Sequence, residues 1–203
     1  MAEVHPRLIV FTDTTRAAAS VMLDRFAALS ERAQAGSVLL MLRDYTLPVR
    51  ERWALGQRLA ELSAGTQQSF GVAERADLAR ALGCAAFHLP AGGLNAVDAR
   101  RYLGPEVLLS RGCHDACAPE AELDAQLLSP IFEARKGRPA LGLAGLARAR
   151  AAHPGRAWFA LGGVGAGNAA ACLSTGASGV AVIGAALEAD HEPLLAALAI
   201  LRR

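Results

Sequence analysis

A (β/α)8 barrel is the fold class this sequence predicts, from the spacing and the texture of its apolar runs. Eight such runs alternate with helical segments at roughly 25-residue intervals across the chain. Most are continuously apolar, which is how strands buried on both faces read, and strict strand–helix alternation calls for parallel pairing. Eight units favour a closed barrel over an open, doubly wound sheet. No linker or shift in composition divides the chain, so residues 1–203 are expected to form one compact domain.

Taken in order, Arg7 to Thr12 is a short run with β-branched residues, and an Ala-rich helical pattern follows from about Ala17 to Ala35. Ser37 to Leu42 repeats the strand signature; Arg43–Thr46 forms a loop, and Pro48 is placed in the first turn of a helix reaching about Ser63. Gln67 to Val72 predicts strand three and Ala73 to Leu82 its helix. Strand four is Ala85 to Leu89, followed by a Pro-Ala-Gly-Gly turn and a short helix around Val97 to Tyr102. Glu106 to Ser110 predicts strand five, and the interval Arg111 to Glu122 leaves room for no more than a stub of helix. Strand six is Asp124 to Leu128, with a basic loop from Ser129 to Gly142 and a helix to about Ala152. Ala157 to Leu161 and Gly179 to Ile183 are strands seven and eight, and a closing helix is expected from Glu188 to Leu201.

Composition narrows the function. The chain is 53% hydrophobic, yet it has no uninterrupted apolar run of about eighteen residues, so no membrane span is expected. Its first residues lack the basic and apolar regions of a secretory signal, which predicts a cytoplasmic protein. A formal charge of +2 argues against nucleic acid as a partner. Cys84, Cys113, Cys117 and Cys172 form no dense disulfide framework. Cys113-His114 with Cys117 resembles metal ligands in spacing but lacks a second ligand pair. Oligomeric state is not legible.

The sharpest local signal is the tandem repeat of strand, glycine and helix near the C-terminus. Strand seven ends in Gly162-Gly163-Val164, and strand eight in Ile183-Gly184. Glycines there let backbone N–H groups approach an anion, helped by the positive end of a following helix. In (β/α)8 barrels the loops after strands seven and eight commonly build such a phosphate site. A phosphorylated small molecule is therefore the expected ligand, with Gly162, Gly163, Ile183 and Gly184 as its cradle.

Of the 21 basic residues only Lys136 is lysine. In a chain that has exchanged its other lysines for arginine, it marks a place where a compact, flexible ammonium serves and a planar guanidinium does not. Barrel chemistry sits at the C-terminal ends of the strands, which selects Asp13, Arg43, Glu74, His88, His114, Lys136, Gly163 and Gly184.

On these residues the chain resembles the thiamine phosphate synthases and their thiazole tautomerase (TenI-like) relatives. The resemblance lies in Ile9-Val-Phe-Thr12-Asp13, in Ser129-Pro130-Ile131-Phe132 with Lys136, in Gly162-Gly163-Val164 with Asn168, and in Gly179-Val180 with Ile183-Gly184. It implies that the last two segments hold a thiazole phosphate through backbone amides. It also implies transfer of a pyrimidine-methyl group from pyrophosphate to that thiazole, with magnesium as cofactor. Glu74 would be the metal ligand, Arg43 and Lys136 the cationic stabilisers, and His88 or His114 the proton-transfer groups.

Departures from the family pattern concentrate in the pyrophosphate half. Its Gln and first Lys after strand two are Met41 and Tyr45 here; the second metal carboxylate after strand four is Gly93; the threonines of the strand-six loop are absent; and the catalytic His of the tautomerases is Pro130. Three readings stay open: a divergent synthase or sibling acting on a phosphorylated heterocycle, a phosphosugar lyase or aldolase using Lys136 as an imine, and a non-catalytic phosphate-ligand-binding protein.

Overall fold

Leu8–Phe11 (β1) pairs in parallel with Val38–Leu42 (β2) on one side and with Gly179–Val182 (β8) on the other, and the second pairing closes the sheet. Between them stand Ser69–Ala73 (β3), Ala86–Leu89 (β4), Leu108–Cys113 (β5), Ala125–Leu128 (β6) and Ala157–Leu161 (β7), each hydrogen-bonded to its sequence neighbours. The helices are Ala19–Arg32 (α1), Val49–Gly65 (α2), Ala76–Ala81 (α3), Ala96–Leu103 (α4), Gly142–Ala152 (α5), Ala166–Ser174 (α6) and Glu192–Ala197 (α7). This computed structural model describes residues 6–114, 120–135 and 137–202.

Closure explains why the strands read as unbroken apolar runs. In β1 and β2, Ile9, Phe11, Leu39 and Met41 join Leu127 and Phe159 in the barrel interior, while Leu8, Val10, Val38 and Leu40 face the helices. Both sets are buried, so neither face tolerates polarity. In α1, Met22, Phe26 and Leu29 recur at helical spacing and form its buried stripe. Among the described residues no helix is long and apolar enough to cross a membrane.

Several boundaries differ from the sequence reading. Strand five runs through Cys113 rather than ending at Ser110, because Pro105 and Glu106 lie in a turn and the register with β6 carries Cys113 opposite Leu128. Strand three is displaced to Ser69–Ala73, and Glu74 adopts φ 69, which separates it from α3. Pro48 caps α2 rather than entering its first turn. The expected closing helix is instead a 3-10 turn, Gly184–Leu187, followed by the short α7. Pro193 lies in the opening of α7; Ala199, at φ 55, ends its helical path, and Leu201 bridges back to Ala33. The stub expected between β5 and β6 falls largely outside the described residues; residues 120–124 contain no helix.

Candidate active site at the C-terminal face

The glycines after β7 and β8 line one cavity of about 350 Å³. Gly162 and Gly163 have φ of 99 and 70, the left-handed region where a side chain is strained. Space forbids one as well: a β-carbon on Gly163 would lie 2.6 Å from Glu133 Cγ and 3.0 Å from Phe132 Cβ. The strand-six loop is fastened alongside, since Ile131 N–H donates to the Leu161 carbonyl and Phe132 N–H to that of Gly162, both at 2.9 Å. Asn168 fixes the other flank. Its amide donates to the Gly163 carbonyl at 2.9 Å, and its Oδ1 accepts the Gly165 N–H at 3.0 Å.

That arrangement leaves the N–H groups of Gly163 and Val164 without an acceptor among the described residues. Gly184 opens the 3-10 turn, whose first N–H groups have no partner within it. Ile183 and Gly184 line the same cavity, so the structure brings together all four cradle residues expected from sequence. It adds charged groups that sequence reading did not place there: Arg16, Arg135, Glu133 and Glu188.

Arg135 enters the cavity because residues 135 and 138 exchange backbone hydrogen bonds at 3.0 Å, forming a tight turn on the strand-six loop. Arg138 does not line it. Lys136 lies outside the described residues, as does Cys117.

The remaining candidates surround the barrel mouth outside this cavity. Arg43 follows β2; its Nη2 lies 3.6 Å from Asp13 Oδ2, and its guanidinium stands 5.5 Å from the Tyr45 ring centre. Its Nε is buried without a hydrogen-bond partner among the described residues. Asp13 is the pivot here. Its Oδ1 accepts the Thr15 N–H at 3.2 Å and hydroxyl at 2.5 Å, while Oδ2 faces Arg43 and also Arg16 Nε at 3.5 Å. Burial works to raise the Asp13 carboxyl pKa, but the Thr15 hydrogen bonds and the two guanidinium charges outweigh it and hold it below the usual value.

His88, on β4, points into the barrel interior. Its Nδ1 is 3.0 Å from Ser110 Oγ, and its ring meets Phe11 edge-on at 5.3 Å. Burial pushes its pKa down to about 3, and the charges of Arg111 and Arg43 act in the same direction, so the imidazole is neutral near pH 7. His114 directly follows β5, and its Nδ1 is engaged with the Ser129 carbonyl at 2.9 Å. That bond makes it a brace between the loops after β5 and β6. Glu74 is paired with Arg52 at 3.2 Å. Met41, where the resemblance expects a polar residue, is fully buried, and its thioether packs over Gly71 in the barrel interior.

Residues 8–186 match the family described as thiamine monophosphate synthase. The chain belongs to that family. It is 34% identical over 193 residues to the thiamine-phosphate synthase of Mycolicibacterium paratuberculosis, covering 87% of this chain and 84% of that relative. The Thermobifida fusca thiamine-phosphate synthase is also 34% identical, over 185 residues, with the same coverage. Among solved structures, a thiamine phosphate pyrophosphorylase from Pyrococcus furiosus superimposes with a TM-score of 0.77 at 22% identity, covering 95% of this chain and 92% of that one.

Sequence reading selected Asp13 for its position but gave it no role, and it missed Arg16 altogether. The signal for Arg16 was indirect: a cation three residues after a strand-end aspartate, on the loop that barrel closure sets beside β8.

Proposed function

We propose that this protein acts in thiamine biosynthesis, joining a pyrimidine-methyl pyrophosphate to a thiazole phosphate to give thiamine phosphate and pyrophosphate. The observation that carries the reading is the cavity after β7 and β8, where unpaired N–H groups at Gly163 and Val164 and the opening of the turn at Gly184 converge. Those groups suit a phosphate monoester, and a thiazole attached to it would extend toward the barrel mouth.

In this reading the C–O bond to pyrophosphate breaks, the thiazole nitrogen supplies the electron pair for the new C–N bond, and the departing oxygens gather negative charge. Arg43 takes part of that charge, its buried Nε and its Nη groups being available beside Asp13. Lys136 and Arg135 on the strand-six loop take the rest. Neutral His88 stands below the mouth as a hydrogen-bonding group with Ser110, which orients the pyrimidine without transferring a proton.

Magnesium, if bound, would supply charge neutralisation for the departing pyrophosphate. The donor set here does not fit a carboxylate-held ion. Glu74 is already paired with Arg52, and Gly93 supplies no second carboxylate. No step above is therefore assigned to it. A cytoplasmic location, where phosphorylated precursors are retained, belongs to the same proposal.

The test is incubation with both precursors, with and without magnesium, and detection of thiamine phosphate by thiochrome fluorescence. Product that requires both precursors and the protein supports the reading. Its absence under all conditions, with the thiazole phosphate bound, would leave a binding protein that has lost the chemistry.

A further inference from the structure

We propose that Arg16 is a side-chain ligand of the phosphate at Gly163 and Gly184, and that Asp13 is its positioning residue. The inference rests on the phosphate reading above and adds a specificity determinant to it. Arg16 lines the cavity, and its Nη1 lies 3.4 Å from where a β-carbon on Gly184 would stand. This guanidinium therefore stands at contact distance from the Gly184 end of the cradle.

The aim of Arg16 is fixed from behind. Asp13 is 7% exposed and anchored through Oδ1 by Thr15, which leaves Oδ2 to face Arg16 Nε at 3.5 Å. A guanidinium held at Nε keeps its Nη groups for a second anion, and Nη1 is the atom beside Gly184. The backbone supports the same geometry, since Arg16 N–H donates to the Asp13 carbonyl at 3.0 Å.

Charge balance gives the independent argument. Glu133 and Glu188 also line the cavity, and either one opposes an incoming phosphate. Among the described residues Arg16 and Arg135 are the cations that offset them there. Arg135 makes no side-chain hydrogen bond or ion pair within the described structure, whereas Arg16 is held in place by a buried carboxylate. Arg16 is therefore the pre-aimed member of the pair. Asp13 Oδ2 also faces Arg43 Nη2 at 3.6 Å, so one carboxylate orients a cation in each anion-binding half of the site.

The experiment is calorimetric titration of the intact protein with thiazole phosphate and with the same thiazole bearing a free hydroxyl. Wild type binds the phosphate form more tightly. Arg16→Ala weakens binding of that form by about tenfold, the size of one charge-assisted hydrogen bond at a half-exposed residue, and leaves the alcohol unchanged. Adding Gly184→Ser to Arg16→Ala, which supplies a hydroxyl donor at the same point, recovers part of the loss. Asp13→Asn weakens the phosphate form less than Arg16→Ala does, and has no further effect on it once Arg16 is alanine; a merely structural aspartate would keep its effect in both backgrounds. If Arg16→Ala binds the phosphate form as tightly as wild type, or loses both ligands equally, the inference is overturned while the cradle stands. If wild type does not distinguish the two ligands, the phosphate reading fails and this inference with it.

Discussion

Arg52 and Glu74 form an ion pair of 3.2 Å in which the cation is only 3% exposed and the carboxylate 44%. The pair binds the one candidate metal ligand to a structural cation. We expect synthase turnover to be slow and only weakly dependent on magnesium, since each missing donor to a developing anion lowers the rate by about two to three powers of ten. Steady-state assays across a magnesium titration check this. Turnover of about one per second or faster with strict magnesium dependence would contradict it.

The same pair predicts an asymmetry in stability. Arg52 Nη2 also donates to the Ala73 carbonyl at 2.5 Å, and its guanidinium stands 5.6 Å from the Tyr45 ring centre. Arg52→Ala strips a buried carbonyl of a charged donor and is expected to cost about 2 kcal/mol. Glu74→Gln removes a half-exposed, screened partner and should cost under about 1 kcal/mol. Urea unfolding of both variants measures the difference; equal losses would show that the ion pair, not the carbonyl, is what Arg52 supports.

Gly163 and Gly184 should respond oppositely to alanine. At Gly163 the left-handed backbone and the close approach of Phe132 Cβ leave no room, so Gly163→Ala should lose about 1 to 2 kcal/mol and most of the phosphate affinity. At Gly184 the nearest atom to a new β-carbon is Arg16 Nη1 at 3.4 Å, an ordinary contact, and stability should stay within about 0.5 kcal/mol. Thermal melts with and without thiazole phosphate read both effects.

His88 predicts a pH dependence whose sign follows from its burial. Its folded pKa, about 3, lies below the ordinary 6.5, so between those values the unfolded chain binds the proton that the folded chain refuses. The stability it confers is present above pH 6.5 and is lost progressively as pH falls toward 3, with a slope of at most about 1.4 kcal/mol per pH unit. His191 shifts in the same direction, so wild type must be compared with His88→Gln, which should flatten one proton's share of the slope. The Asp13 contribution is lost as pH falls from the ordinary aspartate value toward its lowered one. Equal slopes in wild type and His88→Gln would show that His88 is protonated in the folded state.

Much of this molecule was written locally and could be read locally. The strand over residues 157–161 and the glycines after β7 were legible because continuous apolarity marks a strand buried on both faces, and glycine marks a backbone that side chains would strain. Helix ends read less well, because Ala199 ends α7 through a left-handed turn and a bridge from Leu201 to Ala33, far away in sequence. The sequence by itself determined the barrel and the glycine-bearing loops after β7 and β8, since both follow from the order of residues along single strands and their loops. Only the tertiary structure decided that Arg16 faces Gly184, that Asp13 stands between Arg16 and Arg43, that Arg52 holds Glu74, and that His114 braces Ser129. Each of those relations joins different strand–helix units, and pairing β1 with β8 brings residues more than 160 positions apart into contact, which no local pattern encodes.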